Sequence, residues 1–323
     1  MSAQSLSGEP TRILEFINKF DRNLPRKTFF VELYGVILDQ NSDGSTIVIG
    51  KRIIIVTNNS HRPRYFLGRF LNSIGLEIPE DDIVTAPYIT AQYINDVLIR
   101  PTNSRNLTWV AGKDVEDELY YLPHEEYCGF FMTIDCYHDM ISGKSPSVGE
   151  DTPSAEAVAA VVVGNADYLD YHTLCSASYY IQHGAAYLAT NLDATELRRG
   201  TPSPGPGCAA EAVSLATGKK PKLMGKPGDY MMSAIQKQCK LDDEKLKRTC
   251  MIGGSIDSDI KFAHNGGLGG SLLVLTGLCK EEDAKGEKAR SLRLTAYVKK
   301  LGDLKVDPRE IYLRCRRPRA QSI

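Results

Sequence analysis

Short apolar runs alternate with helix-like stretches along most of the chain. Residues 29–38 and 52–56 are largely apolar and rich in β-branched or aromatic side chains, which is typical of buried parallel strands. Residues 64–73 carry apolar side chains at helical spacing, and residues 88–98 form a second predicted helix. Further strand-like runs cover residues 107–111, 157–164, 186–190, 222–224, 249–252 and 271–275. This alternation predicts an α/β fold with a mostly parallel sheet.

Polar residues lie within or just after several of these predicted strands. They are Glu32 and Tyr34, the run Thr57–Asn59, Lys226, and the stretch from Gly254 to Asp259. Parallel sheets bind ligands outside the carboxyl ends of their strands. We therefore expect these residues to converge on one crevice.

The same segments carry a set of phosphatase motifs. In chain order they are Phe30-Val31-Glu32-Leu33-Tyr34-Gly35-Val36, Val56-Thr57-Asn58-Asn59-Ser60, Thr190-Asn191-Leu192-Asp193, Pro204-Gly205-Pro206-Gly207, Met224-Gly225-Lys226-Pro227 and Ile252 to Ile260. Together they resemble the haloacid dehalogenase (HAD) superfamily, in the branch of p-nitrophenyl, phosphoglycolate and pyridoxal phosphatases. The resemblance runs from about residue 29 to residue 304.

The resemblance implies a domain organisation. The chain of 323 residues is expected to have a HAD-like Rossmannoid core with a parallel sheet and an inserted α/β cap domain of the C2 type. The expected limits are 1–28 for a helical or flexible lead, 29–100 with 221–308 for the core, 101–220 for the cap and 309–323 for a flexible basic tail. The stretch 39–50 is short for a crossover helix, so either the crossover is lean or an exon edge is missing from the gene model.

The resemblance also assigns roles, and three of them fall on unexpected residues. Glu32 stands at the nucleophile position, Tyr34 at the general-acid position, and Gly254 at the position of a metal-binding aspartate. In the family these positions are aspartates, and Mg²⁺ is held by the first and third side chains and by the backbone carbonyl at the second. Asp259 would lie outside the direct ligands of the metal and contact those ligands. We therefore expect Mg²⁺ to bind weakly or not at all, because magnesium favours carboxylate oxygens.

Other family positions keep their residue types. Thr57, Asn58, Asn59 and Lys226 are expected to bind phosphate through a hydroxyl, backbone amides and an ammonium group. In the cap, Asn191 and Asp193 correspond to a region near the substrate.

Three hypotheses of function follow. The first is a pseudophosphatase with a binding or regulatory role, because nucleophile, acid and metal ligand are all replaced. The alternative is an active or weakly active phosphatase on small phosphorylated metabolites, in which Glu32 is the nucleophile or base and Asp257 or Asp259 is recruited to the metal. The third is a subunit that pairs through its cap with an active paralogue, so a homodimer or heterodimer is expected.

Composition limits the kinds of binding partner that are expected. The formal net charge of −1 gives no signal for nucleic-acid binding, and no apolar run is long enough to span a membrane. The polar N-terminus and eight scattered cysteines predict a cytoplasmic protein with reduced thiols. A small phosphorylated molecule, or phosphate itself, remains the expected ligand.

Overall fold

The computed structural model describes residues 4–5, 28–32, 52–59, 64–73, 76, 78–99, 107–111, 129–130, 155, 158–164, 169–198 and 201–301. The predictions for Tyr34, for the crossover 39–50 and for the tail 309–323 lie outside these residues.

The described strands are numbered in chain order. They are β1 (Gln4–Ser5), β2 (Thr28–Val31), β3 (Arg52–Thr57), β4 (Ile83–Thr85), β5 (Leu107–Ala111), β6 (Gly129–Phe130), β7 (Val158–Val163), β8 (Ala186–Ala189), β9 (Thr195–Arg198), β10 (Thr201–Pro204), β11 (Lys222–Leu223), β12 (Thr249–Gly253), β13 (Gly270–Val274) and β14 (Ala296–Val298).

The described α-helices are numbered in the same way. They are α1 (Arg64–Ser73), α2 (Ala86–Tyr93), α3 (Tyr171–Gln182), α4 (Pro206–Thr217), α5 (Asp229–Cys239), α6 (Asp243–Leu246), α7 (Lys261–Asn265), α8 (Glu281–Lys285) and α9 (Glu287–Ser291). A 3₁₀ turn covers Glu80–Asp82, and π-helical turns cover Ile94–Ile99 and Ile256–Ile260.

The chain divides into two compact units. The first contains Met1–Ile55 and Leu241–Ile323, and the second contains Val56–Lys240. The cap limits 101–220 stay a prediction. The second unit is larger than that range, because it also takes in α1, α2 and α5.

The first unit is built on a parallel sheet with the order β1-β14-β13-β12-β2-β3. Every residue of β12 and β13 is buried, as expected for central strands that are covered on both faces. One face packs against a cluster in which Leu273 and Tyr297 meet Ile260 and the small residues Ala284 and Ala289 of α8 and α9. The predicted α/β fold with a parallel core is confirmed.

The second unit contains a further parallel sheet, with the order β11-β8-β7-β5-β6. Alternate residues of β7 face opposite clusters, since Val161 and Val163 pack with α3 and α4 while Ala160 and Val162 pack with α2 and Met224. The last two residues of β3 belong to this unit, where β4 is the neighbouring strand. The inserted α/β segment is therefore a layered unit with two apolar faces.

Several elements match the sequence prediction closely. Helix α1 has the predicted limits 64–73, and the predicted helix 88–98 corresponds to α2 and the π-helical turn that follows it. Strand β11 lies in the range 221–308 that was predicted for the core, and it pairs with β8 in the sheet of the second unit. No helix among the described residues is both long and apolar enough to cross a membrane.

Candidate active site

Glu32 follows β2 directly and continues its pairing. Its backbone N–H donates to the carbonyl oxygen of Ile252 at 2.9 Å, so the main chain at this position is fixed. The three residues before it are buried, whereas Glu32 is half-buried. This position fits a carboxylate at the end of a core strand, although its side chain is one methylene longer than aspartate.

The turn after β12 is organised around Asp259 in the first unit. Its Oδ2 accepts a hydrogen bond from the Ser255 N–H at 3.0 Å, and the residue is only 2% exposed. A Cβ added at Gly253 would lie 2.2 Å from Asp259 Cγ, so glycine is required for the carboxyl group to occupy this space. Asp259 therefore closes the turn that carries the Gly254 position.

Gly254 packs backbone to backbone against Gly277. A Cβ added at Gly254 would lie 3.1 Å from Gly277 Cα, and a Cβ added at Gly277 would lie 2.7 Å from Gly254 O. Any side chain at position 254 therefore requires a small shift of the facing backbone. The position supplies no side-chain ligand.

Asp257, one of the two carboxylates considered as a replacement ligand, forms an ion pair with Lys288. Both side chains are mostly exposed, at 70% and 59%. An exposed carboxylate with a lysine partner is poorly suited to hold a divalent cation.

Cys279 does not supply a thiolate to this region of the first unit. Burial is the main cause that raises the pKa of its thiol. A hydrogen bond with the Ile256 backbone lowers the pKa, and the nearby carboxylates of Asp283, Asp259 and Asp257 raise it. The thiol is therefore protonated at neutral pH, and nucleophilic cysteine chemistry is not favoured.

Thr57 ends β3 and is fully buried. Its Oγ1 accepts a hydrogen bond from the Asn59 N–H at 3.1 Å, so the hydroxyl turns the chain as it leaves the strand.

Among the described residues of the second unit, Lys226 is the most deeply buried charged residue, with 1% exposure. Its Nζ donates to the carbonyl oxygen of Val56 at 2.7 Å. Burial of an ammonium group is costly unless hydrogen bonds and a negative charge compensate it. The hydrogen bond to Val56 offsets part of that cost.

Asn58 joins the ends of three segments of the second unit. Its carboxamide pairs with the main chain of Lys226, because Oδ1 accepts from the Lys226 N–H at 2.8 Å and Nδ2 donates to the Lys226 carbonyl at 2.9 Å. Nδ2 also donates to Asp193 Oδ2 at 3.1 Å. The main-chain carbonyl of Asn58 accepts from Asn191 Nδ2 at 3.2 Å. We call Asn58, Asn191, Asp193 and Lys226 the Asn58 cluster.

Glycines allow the backbones around this cluster to approach closely. A Cβ added at Gly225 would lie 2.3 Å from Thr190 O and 2.5 Å from Asn58 Oδ1. One added at Gly207 would lie 2.5 Å from Leu192 O. The glycines of the Met224–Pro227 and Pro204–Gly207 motifs are thus explained by steric contact with neighbouring carbonyls.

The sequence indicated the members of the cluster but not the bonds between them. Thr57, Asn58, Asn59 and Lys226 were expected to bind phosphate, and Asn191 and Asp193 to lie near substrate. The structure shows in addition that Asn58 and Asn191 direct their side chains at protein groups. The Asn58-Asn59 pair after β3 indicated a site at this strand end. The hydrogen-bond partners of Asn58 could not be predicted, because they lie far away in the chain.

The comparisons with known proteins agree with this fold. Residues 37–120 match the family described as haloacid dehalogenase-like hydrolase, and residues 223–304 match the HAD-hydrolase-like family. The chain is 33% identical over 312 residues to the 4-nitrophenylphosphatase of Schizosaccharomyces pombe, covering 94% of this chain and 98% of that protein. The chain therefore belongs to the HAD-like hydrolase family, in the branch that contains 4-nitrophenylphosphatase.

Solved structures support the same fold. The p-nitrophenyl phosphatase of Archaeoglobus fulgidus superposes with a TM-score of 0.65 at 24% identity, covering 87% of this chain and 98% of that one. The glycerol phosphate phosphatase of Mycobacterium tuberculosis, solved in complex with magnesium, gives a TM-score of 0.66 at 22% identity, covering 88% of this chain and 78% of that one.

Membership of this family implies a magnesium site. Gly254 has no side-chain oxygen, Asp257 is paired with Lys288, and Asp259 accepts a backbone hydrogen bond within its own turn. Among the described residues, no three His, Cys, Asp or Glu side chains form a group that could hold a metal ion. These residues do not fit a magnesium site of the usual carboxylate type.

Proposed function

We propose that this chain is a phosphomonoester phosphatase of low turnover that acts on small phosphorylated metabolites. The observation that carries the proposal is the buried Lys226, held by the Val56 carbonyl and by the Asn58 carboxamide. A buried cation with a fixed main chain is an arrangement that favours binding of an anion such as a phosphate group. The similarity to a 4-nitrophenylphosphatase over most of both chains supports the same activity.

The proposed roles follow the family positions. Lys226, the Thr57 hydroxyl and the backbone amides of Asn58 and Asn59 bind the phosphate group. The Glu32 carboxylate attacks phosphorus, the ester P–O bond breaks, and the leaving oxygen takes a proton from Tyr34 or from water. Water then hydrolyses the acyl phosphate, which returns the Glu32 carboxylate and releases phosphate.

Two replacements explain why the turnover should be low. The extra methylene of Glu32 moves its carboxylate by about 1 Å, a displacement that can cost about 100-fold in rate. A tyrosine has a reference pKa of about 10, so it gives up a proton less readily than a carboxylic acid near neutral pH. Both effects slow the reaction without removing it.

The substrate class is expected to depend on the leaving group. An aryl phosphate such as 4-nitrophenyl phosphate releases a weakly basic phenolate that needs little proton transfer. An alkyl phosphate such as glycerol phosphate, or the phosphoglycolate type, releases a basic alkoxide that needs an acid. With tyrosine at position 34, aryl phosphates should be hydrolysed faster than alkyl phosphates.

A second candidate function is a catalytically impaired homologue with a binding or regulatory role. The observation that favours it is Gly254, which offers no carboxylate and lies against the Gly277 backbone. In this case phosphate binding at Lys226 would persist without turnover, and binding of Mg²⁺ would be weak or absent.

The test is steady-state turnover of 4-nitrophenyl phosphate, glycerol phosphate and phosphoglycolate, with and without magnesium. The chain would be compared with the triple variant Glu32→Asp, Tyr34→Asp, Gly254→Asp. We expect measurable turnover by the unmodified chain, with the aryl ester preferred, and a larger gain for the alkyl esters in the triple variant. Turnover confined to the triple variant would establish the impaired candidate instead.

We also propose that the chain forms dimers through its inserted segment. Helices α3 and α4 carry exposed large side chains, Tyr171 at 70% and Leu215 at 89% exposure, which supports a contact surface. Native mass spectrometry tests this, and a monomer at micromolar concentration would contradict it.

A further inference from the structure

We propose that Asn58 is a positioning residue that sets the main chain of Lys226, and that Asp193 acts by orienting the Asn58 carboxamide. This inference rests on the phosphate-binding role proposed for Lys226. It gives Asp193 a task within the protein rather than at the substrate.

The Asn58 carboxamide is fully used by protein groups. Its Oδ1 accepts from the Lys226 N–H at 2.8 Å, while Nδ2 donates to the Lys226 carbonyl at 2.9 Å and to Asp193 Oδ2 at 3.1 Å. A carboxamide has two N–H hydrogens, and both are engaged here. The Asn58 side chain therefore has no hydrogen left to offer a phosphate oxygen.

The two bonds to Lys226 imitate the pairing of adjacent strands. Because one Lys226 group is a donor and the other an acceptor, only one orientation of the carboxamide satisfies both. Lys226 Nζ is bonded in turn to the Val56 carbonyl at 2.7 Å. Lys226 is thus restrained at its main chain and at its ammonium group, and Asn58 supplies the first restraint.

The main chain of Asp193 is itself held by hydrogen bonds on both sides. Its N–H donates to Asn191 Oδ1 at 3.1 Å, and its carbonyl accepts from the Gly207 N–H at 3.1 Å, in the first turn of α4. The main chain that carries its carboxylate is therefore fixed by the turn around it. A carboxylate accepts hydrogen bonds only, so it fixes which end of the Asn58 amide points toward it.

Hydrogen exchange tests the positioning directly, without requiring activity. Asn58→Ala removes the acceptor of the Lys226 N–H, and we expect exchange in a peptide that spans residues 224–228 to rise by about tenfold or more. Asp193→Ala should raise it less, by about threefold, because only the orientation is lost. Asp193→Asn keeps an oxygen acceptor and should stay within about twofold of the unmodified chain.

Asn95→Ala is the matched control. Asn95 donates to its exposed neighbour Asp96 at 2.9 Å in the same unit, so its removal should leave exchange in the 224–228 peptide unchanged. Unchanged exchange in Asn58→Ala would overturn the proposal. So would an Asp193→Asn variant that behaves like Asp193→Ala, since conservative rescue is what distinguishes orientation by hydrogen bonding from a need for charge.

If Asn58→Ala does not fold, a pair of swapped substitutions at positions 58 and 193 replaces it. Asn58→Asp places a carboxylate against the Lys226 carbonyl and Asp193, and it should raise exchange. Adding Asp193→Asn restores a donor and acceptor pair between positions 58 and 193, and should recover part of the protection. A double variant no better protected than Asn58→Asp alone would contradict the proposal.

Binding of inorganic phosphate, measured by calorimetry on the same variants, separates this inference from the proposed function. We expect Asn58→Ala to weaken phosphate binding by about tenfold, with Asp193→Asn affected least. If the unmodified chain binds no phosphate while the exchange order holds, the proposed function fails and the positioning stands. If phosphate binding and exchange are both unchanged in Asn58→Ala, the positioning fails and the phosphate site stands.

Discussion

The turn after β12 in the first unit and the Asn58 cluster in the second differ in how their polar groups are used. In the cluster, side chains from distant parts of the chain bond to one another and to Lys226. In the turn, Asp259 bonds within its own turn, Asp257 pairs with an exposed lysine, and Gly254 contributes only backbone. The difference supports the proposal that the cluster binds an anion, because its polar groups are organised around Lys226, whereas Gly254 and Asp257 offer no suitable ligand to a cation.

Removing the charge of Lys226 should have the largest effect on this comparison. Lys226→Met keeps an unbranched side chain of similar length but deletes the ammonium group. Phosphate affinity and turnover should fall by about 100-fold or more, because charge-assisted bonds to the anion are lost. Phosphate titration and steady-state kinetics measure this.

Lys237→Met serves as the control, since Lys237 is exposed on α5 and in the same unit. Equal losses in both variants would show that overall charge, rather than the position of Lys226, governs binding.

A side chain at Gly225 should disturb the cluster sterically. The Cβ of Gly225→Ala would lie 2.3 Å from Thr190 O and 2.5 Å from Asn58 Oδ1. We expect the free energy of unfolding to fall by about 2–3 kcal/mol, with weaker phosphate binding. Gly218→Ala, where φ is 69° and nothing lies within 4 Å, should cost only about 1 kcal/mol. Urea denaturation compares the two, and equal costs would contradict the packing argument.

Alanine substitutions at the adjacent Gly253 and Gly254 test which contacts organise the turn after β12. Gly253→Ala would place a Cβ 2.2 Å from the buried Asp259 carboxyl group and should cost about 2–3 kcal/mol in unfolding free energy. Gly254→Ala would place one 3.1 Å from Gly277 Cα and should cost about 1 kcal/mol. The reverse order in urea denaturation would mean that Asp259 does not organise this turn.

The smallest effect is expected at Asp257. Because its pair with Lys288 is exposed, Asp257→Asn should change stability by about 0.5 kcal/mol or less. Any dependence of turnover on magnesium should also be unchanged. A clear loss of magnesium dependence in this variant would show that Asp257 is recruited to the metal after all.

Local patterns were sufficient to predict much of the fold. The helical stripe of residues 64–73 and the apolar runs that became β3, β12 and β13 depend on neighbours a few residues apart. The sequence also predicted that Thr57–Asn59 lie at the end of β3, because the apolar run of the strand shows where it ends.

The bonds of the candidate site could not be predicted in this way. The bond from Asn58 to Lys226 joins residues 168 positions apart, and the pairing of Asp257 with Lys288 also depends on the folded chain. A sequence pattern gives the residue type but not the partner of its side chain. The sequence therefore predicted phosphate binding by the backbone amide of Asn58, but it gave no sign that the carboxamide is bonded to Lys226 and Asp193.

The most direct test of the central claim is turnover of 4-nitrophenyl phosphate by the chain and by Glu32→Gln, purified in the same way, with phosphate binding measured on both. The account predicts slow turnover by the unmodified chain, loss of that turnover in Glu32→Gln, and phosphate binding in both proteins. Equal turnover by the two would contradict Glu32 as the nucleophile. Phosphate binding without turnover by the unmodified chain would contradict the phosphatase proposal and favour a binding or regulatory role.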